Sequence, residues 1–338
     1  MTRRWLLALA VLVAGAAAGC ASAPPPREDA SVASARVLAT QADAAASEGR
    51  LRDALDGYRG AARLVPSDER YAAREMELRT ELVKRRVREA DEDLKKRDVA
   101  GARRVAVSIL EIDPQAAEGY RCLAKAAEAG GALEDAWSAG KRAHEIEPGD
   151  AGTTQALASL ATKTGRWAEA ASLYEQLGKT DPSFRDKAAA AGLEFRIQNL
   201  PGPARRAALS PRLTRAQLAA LLVELSPEVR EARIPPGADV AVDVVDRPER
   251  AALVRMIGLG FFAVSRDTHV VGADTPVLRS EMPAHLRRLA ALLGGELPCA
   301  ASLAECGILP EGTRQVGGRE AVAAIEATLR LARPGGAQ

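Results

Sequence analysis

Apolar and small residues follow three rhythms along the chain. Near the N-terminus an uncharged run from Trp5 to Ala18 follows Arg3 and Arg4. It is shorter than the roughly 20 residues needed to cross a bilayer, and reads as a signal peptide. Further on, the pattern is set by small residues and prolines. Pro114, Pro148 and Pro182 stand 34 residues apart, each after an acid (Asp113, Glu147, Asp181), with Ala102, Ala136 and Ala170 twelve positions earlier. Gly131 and Gly165 lie seventeen before the last two prolines. Pro66 ends an earlier copy, with Gly49, Ala54, Tyr58 and Ala61 at the same offsets and 14 extra residues before the next copy. The spacing predicts four pairs of helices, over about 35–68, 83–116, 117–150 and 151–184. Pairs such as Ala124 and Ala136 let the two helices approach, and the proline stops the second. After Asp186 a weaker pattern takes over. Leu213–Leu222 opens a helix with a capping box, Thr214 three residues before Gln217. Related helix starts recur at Leu278-Arg279-Ser280-Glu281-Met282 and Gly318-Arg319-Glu320-Ala321-Val322.

Each rhythm resembles a known family. Ala17-Ala18-Gly19-Cys20 resembles the bacterial lipobox, which implies lipidation of Cys20 and, with Ala21 next, an outer-membrane address, anchored on the periplasmic face. The alternative is an ordinary secretory signal with an incidental cysteine. Ala21–Pro26 would form an extended tether. The 34-residue units resemble tetratricopeptide repeats. That likeness implies a superhelix of helical hairpins whose first helices line a groove for a protein partner. Arg121, Lys125, Gln155, Ser159 and Lys163 fall on the groove-facing positions; the bland alternative is a solvated spacer. Trp137 and Trp167 read as packing residues.

Val245-Asp246-Arg247-Pro248, a helix through Ile257, Gly258-Leu259-Gly260-Phe261 and then Asp274-Thr275-Pro276-Val277 before the second helix start resemble the S-layer homology (SLH) repeat. Ala304–Leu309 would end the first helix of a third copy. The expected fold is therefore all-α: a tetratricopeptide superhelix followed by a pseudo-threefold helical SLH-like domain over about 186–334. The SLH family binds cell-envelope polysaccharide, which makes Arg215, Arg279 and Arg319 candidate ligands for an acidic substituent beside a helix N-terminus. The competing reading has them bridge the repeats, satisfying carbonyls or pairing with Asp246 or Asp274. The family's first-helix tryptophan is missing, since Pro248-Glu249-Arg250 stands in its place.

Composition narrows the partners. The 338 residues carry 47 Lys+Arg against 45 Asp+Glu, and basic stretches such as Lys84-Arg85-Arg86 are interleaved with acids, so nothing recruits nucleic acid. Aromatics make up 3% while 71 residues are alanine, which favours closely packed helices over a β-sandwich. Catalytic motifs are missing: there is no His-Glu-x-x-His, Cys-x-x-Cys, phosphate loop or Gly-x-Ser-x-Gly, and His144, His269 and His285 are scattered. No cofactor, metal or enzymatic activity is expected. Gly258–Ala263 matches a weak dinucleotide fingerprint, but reads more simply as a helix-ending glycine turn. Cys299 and Cys306 are disulfide candidates in an oxidising compartment. One regular helix would hold them about 10 Å apart, beyond the roughly 7 Å limit, so a bridge requires Cys299 to precede the helix, a place Pro298 suits; the alternative is two free thiols. Cys122 reads as a small buried hydrophobe. Two functions remain: a periplasmic scaffold in envelope assembly or secretion, or an attachment protein for peptidoglycan or envelope polysaccharide.

Overall fold

A computed structural model describes residues 29–237, 239–297, 303–310, 312 and 314–332. The lipobox, Cys20 and the tether lie outside them, as does Cys299. The described chain is all-helical, with no strand, as expected from its alanine content and sparse aromatics. No described helix is long and apolar enough to cross a membrane. Contacts divide the chain into two compact units, one running to Glu89 and including Glu111–Asp113, the other holding Ala90–Leu110 and everything from Pro114 onward.

In the first unit α1 (Ala30–Ser47) and α2 (Leu51–Leu64) form a hairpin. Ala35, Ala42, Ala54 and Ala61 are buried, and Gly57 lies so close to α1 that a Cβ there would stand 2.9 Å from that of Ala42. Tyr58 donates its hydroxyl to Asp43 (2.7 Å); burial, helped by that carboxylate, pushes its pKa up to about 12. The next helix, α3 (Glu69–Lys95), begins in this unit and continues into the second. The 14 residues that interrupt the repeat spacing are helical here: about four turns added to the front of a first helix, with no loop inserted.

The second unit continues with α4 (Val99–Ile112), α5 (Ala117–Ala129), α6 (Leu133–Ile146), α7 (Ala151–Lys163) and α8 (Trp167–Gly178). The turn between paired helices is the same object each time. Arg97, Gly131 and Gly165, 34 residues apart, all adopt positive φ (62°, 77° and 70°), as does Gly49 in the first unit. Behind each, the amide one residue on reaches back five residues: Asp98 N to Asp93 O, Ala132 N to Ala127 O, Arg166 N to Ala161 O, at 2.8–2.9 Å. This is the left-handed helix stop that glycine accommodates without strain. Ala158, Ala161 and Ala170 are fully buried at the α7–α8 seam, with Trp137 and Trp167 packed at its margin as expected. The packing outlasts the spacing. Beyond Asp186, α9 (Arg185–Asn199) still lies along α8 and contributes Ala188 and Ala191 to the same core.

The remaining helices are α10 (Gly202–Ala208), α11 (Arg215–Leu225), α12 (Pro227–Glu231), α13 (Arg250–Gly258), α14 (Met282–Leu292) and α15 (Gly318–Ala332). Their core is built from large side chains, with Leu213, Leu218, Leu221, Leu222, Leu253, Met256, Met282, Leu286 and Leu289 essentially inaccessible. At its centre three segments close a ring of backbone hydrogen bonds. Leu213 N donates to Val316 O (2.8 Å), Val316 N to Val277 O (2.9 Å), and Val277 N to Leu213 O (2.8 Å). Each segment is then capped alike, by a side chain three residues past its donor: Thr214 N to Gln217, Leu278 N to Glu281, Gly317 N to Glu320. The arrangement is the pseudo-threefold one expected. Gly260, at φ 72°, ends α13, so the weak dinucleotide fingerprint is a helix-stop turn. Leu303–Gly307 is a run of turns rather than the expected helix end, yet Gly307 (φ 64°) repeats the Gly260 bond pattern, Ile308 N reaching Leu303 O as Phe261 N reaches Met256 O.

Candidate functional site

The predicted groove residues share one face of the second unit. Arg121 and Lys125 are four apart on α5, and Gln155, Ser159 and Lys163 are each four apart on α7, which places each set on one side of its helix. Their cations are occupied. Lys125 pairs with Asp91 of α3 at 3.0 Å, and Lys163 with Glu128 of α5 at 2.5 Å, each reaching back about one repeat length. First helices of successive repeats are therefore linked by a ladder of ion pairs. Arg121 sits among Glu118, Glu147 and Asp150 and donates to the Thr153 hydroxyl. Asp150 also caps α7; bonds from the Thr153 hydroxyl and amide hold its carboxyl below the ordinary range.

Such half-exposed pairs are worth about 0–1 kcal/mol each. They set register between repeats, and a carboxylate from a partner can exchange for one of them at little cost. Gln155 is exposed and Ser159 half-buried, and neither side chain bonds another described residue, so donors and acceptors stand open beside the ladder. Arg166, at the next turn, lies 5.2 Å over the Trp137 ring while pairing with Glu134.

The arginine-led helix starts resolve differently from the sequence pattern. Arg215 donates to Val271 O (2.8 Å) and faces Glu281 at 3.5 Å; Arg279 pairs with Glu320 at 2.8 Å. Each thus reaches the capping acid of the next segment around the ring. In the structural register the third equivalent is Gly318, not Arg319. Gly318 N bonds Ser210 O as Arg215 N bonds Thr275 O and Arg279 N bonds Arg314 O. A Cβ on Gly318 would collide with the backbone of Ala207 and Ala208. Arg319 is half-exposed and turns to Glu194 of α9. The ring of ion pairs is open at one step, where Gln217 supplies an uncharged cap and Gly318 no side chain.

Asp246 and Asp274 are not the partners. Arg247 forms a bidentate pair with Asp274 and donates to Asp243 O. Burial of Asp243 opposes its ionisation, but the Ala273 and Val271 amides outweigh it and keep the carboxyl low. That clamp on the 271–273 loop had no signal in the sequence beyond its acids. His285 packs edge-on against Phe262 at 5.2 Å, and burial depresses its pKa. Cys122 is buried and free, its thiol pushed up to about 11 by burial, which makes it a poor nucleophile. Cys306 is disulfide-bonded. No group of His, Cys, Asp and Glu among the described residues has the arrangement of a metal site.

No family model and no curated protein matches the chain. Among solved structures it is similar to the TPR2AB domain of yeast Sti1 in its pHSP90 complex, at 16% identity and a TM-score of 0.30, over 49% of this chain and 72% of that one. It is also similar to the C-terminal TPR-containing domain of a Plasmodium falciparum FK506-binding protein, at 17% and 0.25, over 40% and 91%. A third is the MamA RS-1 ArsTM double mutant, at 18% and 0.21, over 49% and 77%. At those scores the overlap is partial, and the helical-hairpin assignment stands on the repeated turns and seams described above.

Proposed function

We propose that the chain is a non-enzymatic periplasmic scaffold, held at the outer membrane by lipid on Cys20, that docks a protein partner on the α5–α7 face during envelope assembly or secretion. The observation that carries this reading is the open pair Gln155 and Ser159 beside cations already oriented by neighbouring repeats. The repeats supply a rigid, regularly spaced surface, and exchangeable carboxylates let a partner enter without rebuilding it. A photo-crosslinking residue at Ser159 should yield a discrete adduct in cells, and one at Lys141 of α6 none. Equal adducts from both positions, or none from Ser159, would contradict the reading. The anchor is tested separately: Cys20→Ser should abolish lipidation and release the protein from the outer-membrane fraction.

A second reading, attachment to peptidoglycan or envelope polysaccharide through the SLH-like region, draws support from the pseudo-threefold ring. Its ligand would have to displace Glu281 and Glu320 from Arg215 and Arg279. Sedimentation of purified sacculi with the protein and with an Arg215→Gln, Arg279→Gln double variant separates the two functions.

A further inference from the structure

A cleft of about 720 Å³ lies between the C-terminal end of α8, the length of α9 and the second half of α15, all inside the second unit. Ala188, Ala189 and Gly192 form its floor, recurring at helical spacing on one side of α9. Arg185 and Arg196 stand at the two ends of the same stripe, about 16 Å apart along the helix. Lys179 enters from the C-cap of α8 and Arg330 from α15. Arg196 is committed to Glu326, which is only 12% exposed, but Lys179, Arg185 and Arg330 pair with no described acid. Glu175, on the rim, is also unpaired. The α5–α7 face is the opposite case, its cations all on acids.

We propose that this cleft binds an acidic peptide segment of a partner protein, laid along the small-residue floor of α9 with its carboxylates on Lys179, Arg185 and Arg330. The length of the stripe matches about five residues of extended chain, and the volume lies within the range of ligand clefts. A nucleic acid fits less well. None of the lining residues is aromatic, so bases have nothing to stack on, and two glutamates would face its phosphates. The site is separate from the α5–α7 face and does not rest on the function proposed for it.

The test is fluorescence anisotropy with the full chain and a labelled oligoglutamate peptide at physiological salt. Binding should weaken about tenfold or more in a Lys179→Glu, Arg185→Glu, Arg330→Glu variant, and should be blocked by Ala189→Trp, which fills the floor from an exposed position. Lys125→Gln with Lys163→Gln should leave it unchanged, which separates this cleft from the α5–α7 face. If the charge-reversed protein does not fold, Ala189→Trp alone decides. Absence of peptide binding, unaltered binding in Ala189→Trp, or tighter binding of an oligothymidylate than of the peptide would overturn the proposal.

Discussion

In the hairpin region the repeated object is a pair of helices packed through alanine, whereas in the C-terminal region it is a capped segment closed by backbone hydrogen bonds onto two others. The first kind of repeat propagates by translation. Every interface meets the same requirement, so the same small residues return at a fixed interval, and the series tolerates a 14-residue helical extension at its second member. The second kind closes on itself. Its three members must meet at one ring, and equivalence lies in backbone contacts that many side chains satisfy. The two cores follow suit: alanine predominates at the α7–α8 seam, whereas leucine, valine, isoleucine, methionine and phenylalanine outnumber alanine around the ring.

That contrast predicts that the two cores are sensitive to opposite changes of side-chain volume, the C-terminal one to truncation and the hairpin seam to enlargement. Leu222→Ala, at a fully buried position of the C-terminal core, should cost about 2–5 kcal/mol. Ala158→Leu, at an equally buried position of the hairpin seam, should cost about 1–3 kcal/mol by forcing the helices apart. Denaturant unfolding of the full chain, followed with a probe in each region, measures both. A seam that accepts leucine without loss would break the comparison.

Gly318→Ala tests the open step of the ring. The added methyl collides with backbone and not with the end of a flexible side chain, so a loss of about 3 kcal/mol is expected. Gly318→Arg, which would complete the threefold pattern, should fail for the same reason.

Much of this was legible in the sequence, and the exceptions have a physical pattern. The 34-residue spacing located the hairpins because a left-handed stop and a tight seam restrict residue choice strongly. Thr214 and Gln217 likewise announced a cap that forms with both of its bonds. The third helix start differs by one residue between pattern and structure, since the arginines mark 215, 279 and 319 while the ring aligns Glu320 with Glu281 and Gln217. The sequence placed cations on the α5–α7 face but not their acids, which lie on other helices and carry no spacing signal. The α9 cleft was invisible for the same reason: its cations come from three helices.

The arginines sharpen the comparison further. Arg279, 23% exposed on Glu320, should lose about 1–3 kcal/mol as Arg279→Gln, because the partner acid is itself largely covered. Arg319, 52% exposed, should lose only about 0–1 kcal/mol as Arg319→Gln. Equal losses would argue against the assigned register. The smallest effect is expected in the hairpin region. Arg97 occupies a left-handed position that its counterparts fill with glycine, and Arg97→Gly should raise stability by about 0.5 kcal/mol, the relief of backbone strain less the entropy of the added glycine. Thermal unfolding of matched samples resolves the sign.

The central claim is that Leu213, Val277 and Val316 close one cooperative ring while the hairpins are stabilised repeat by repeat. Native-state hydrogen exchange read at single amides tests it most directly. The Leu213, Val277 and Val316 amides should exchange through one opening with a shared free energy and a shared denaturant dependence, whereas those of Asp98, Ala132 and Arg166 should each follow their own repeat. Three ring amides that open independently, with free energies as dispersed as those of the hairpin turns, would contradict the account.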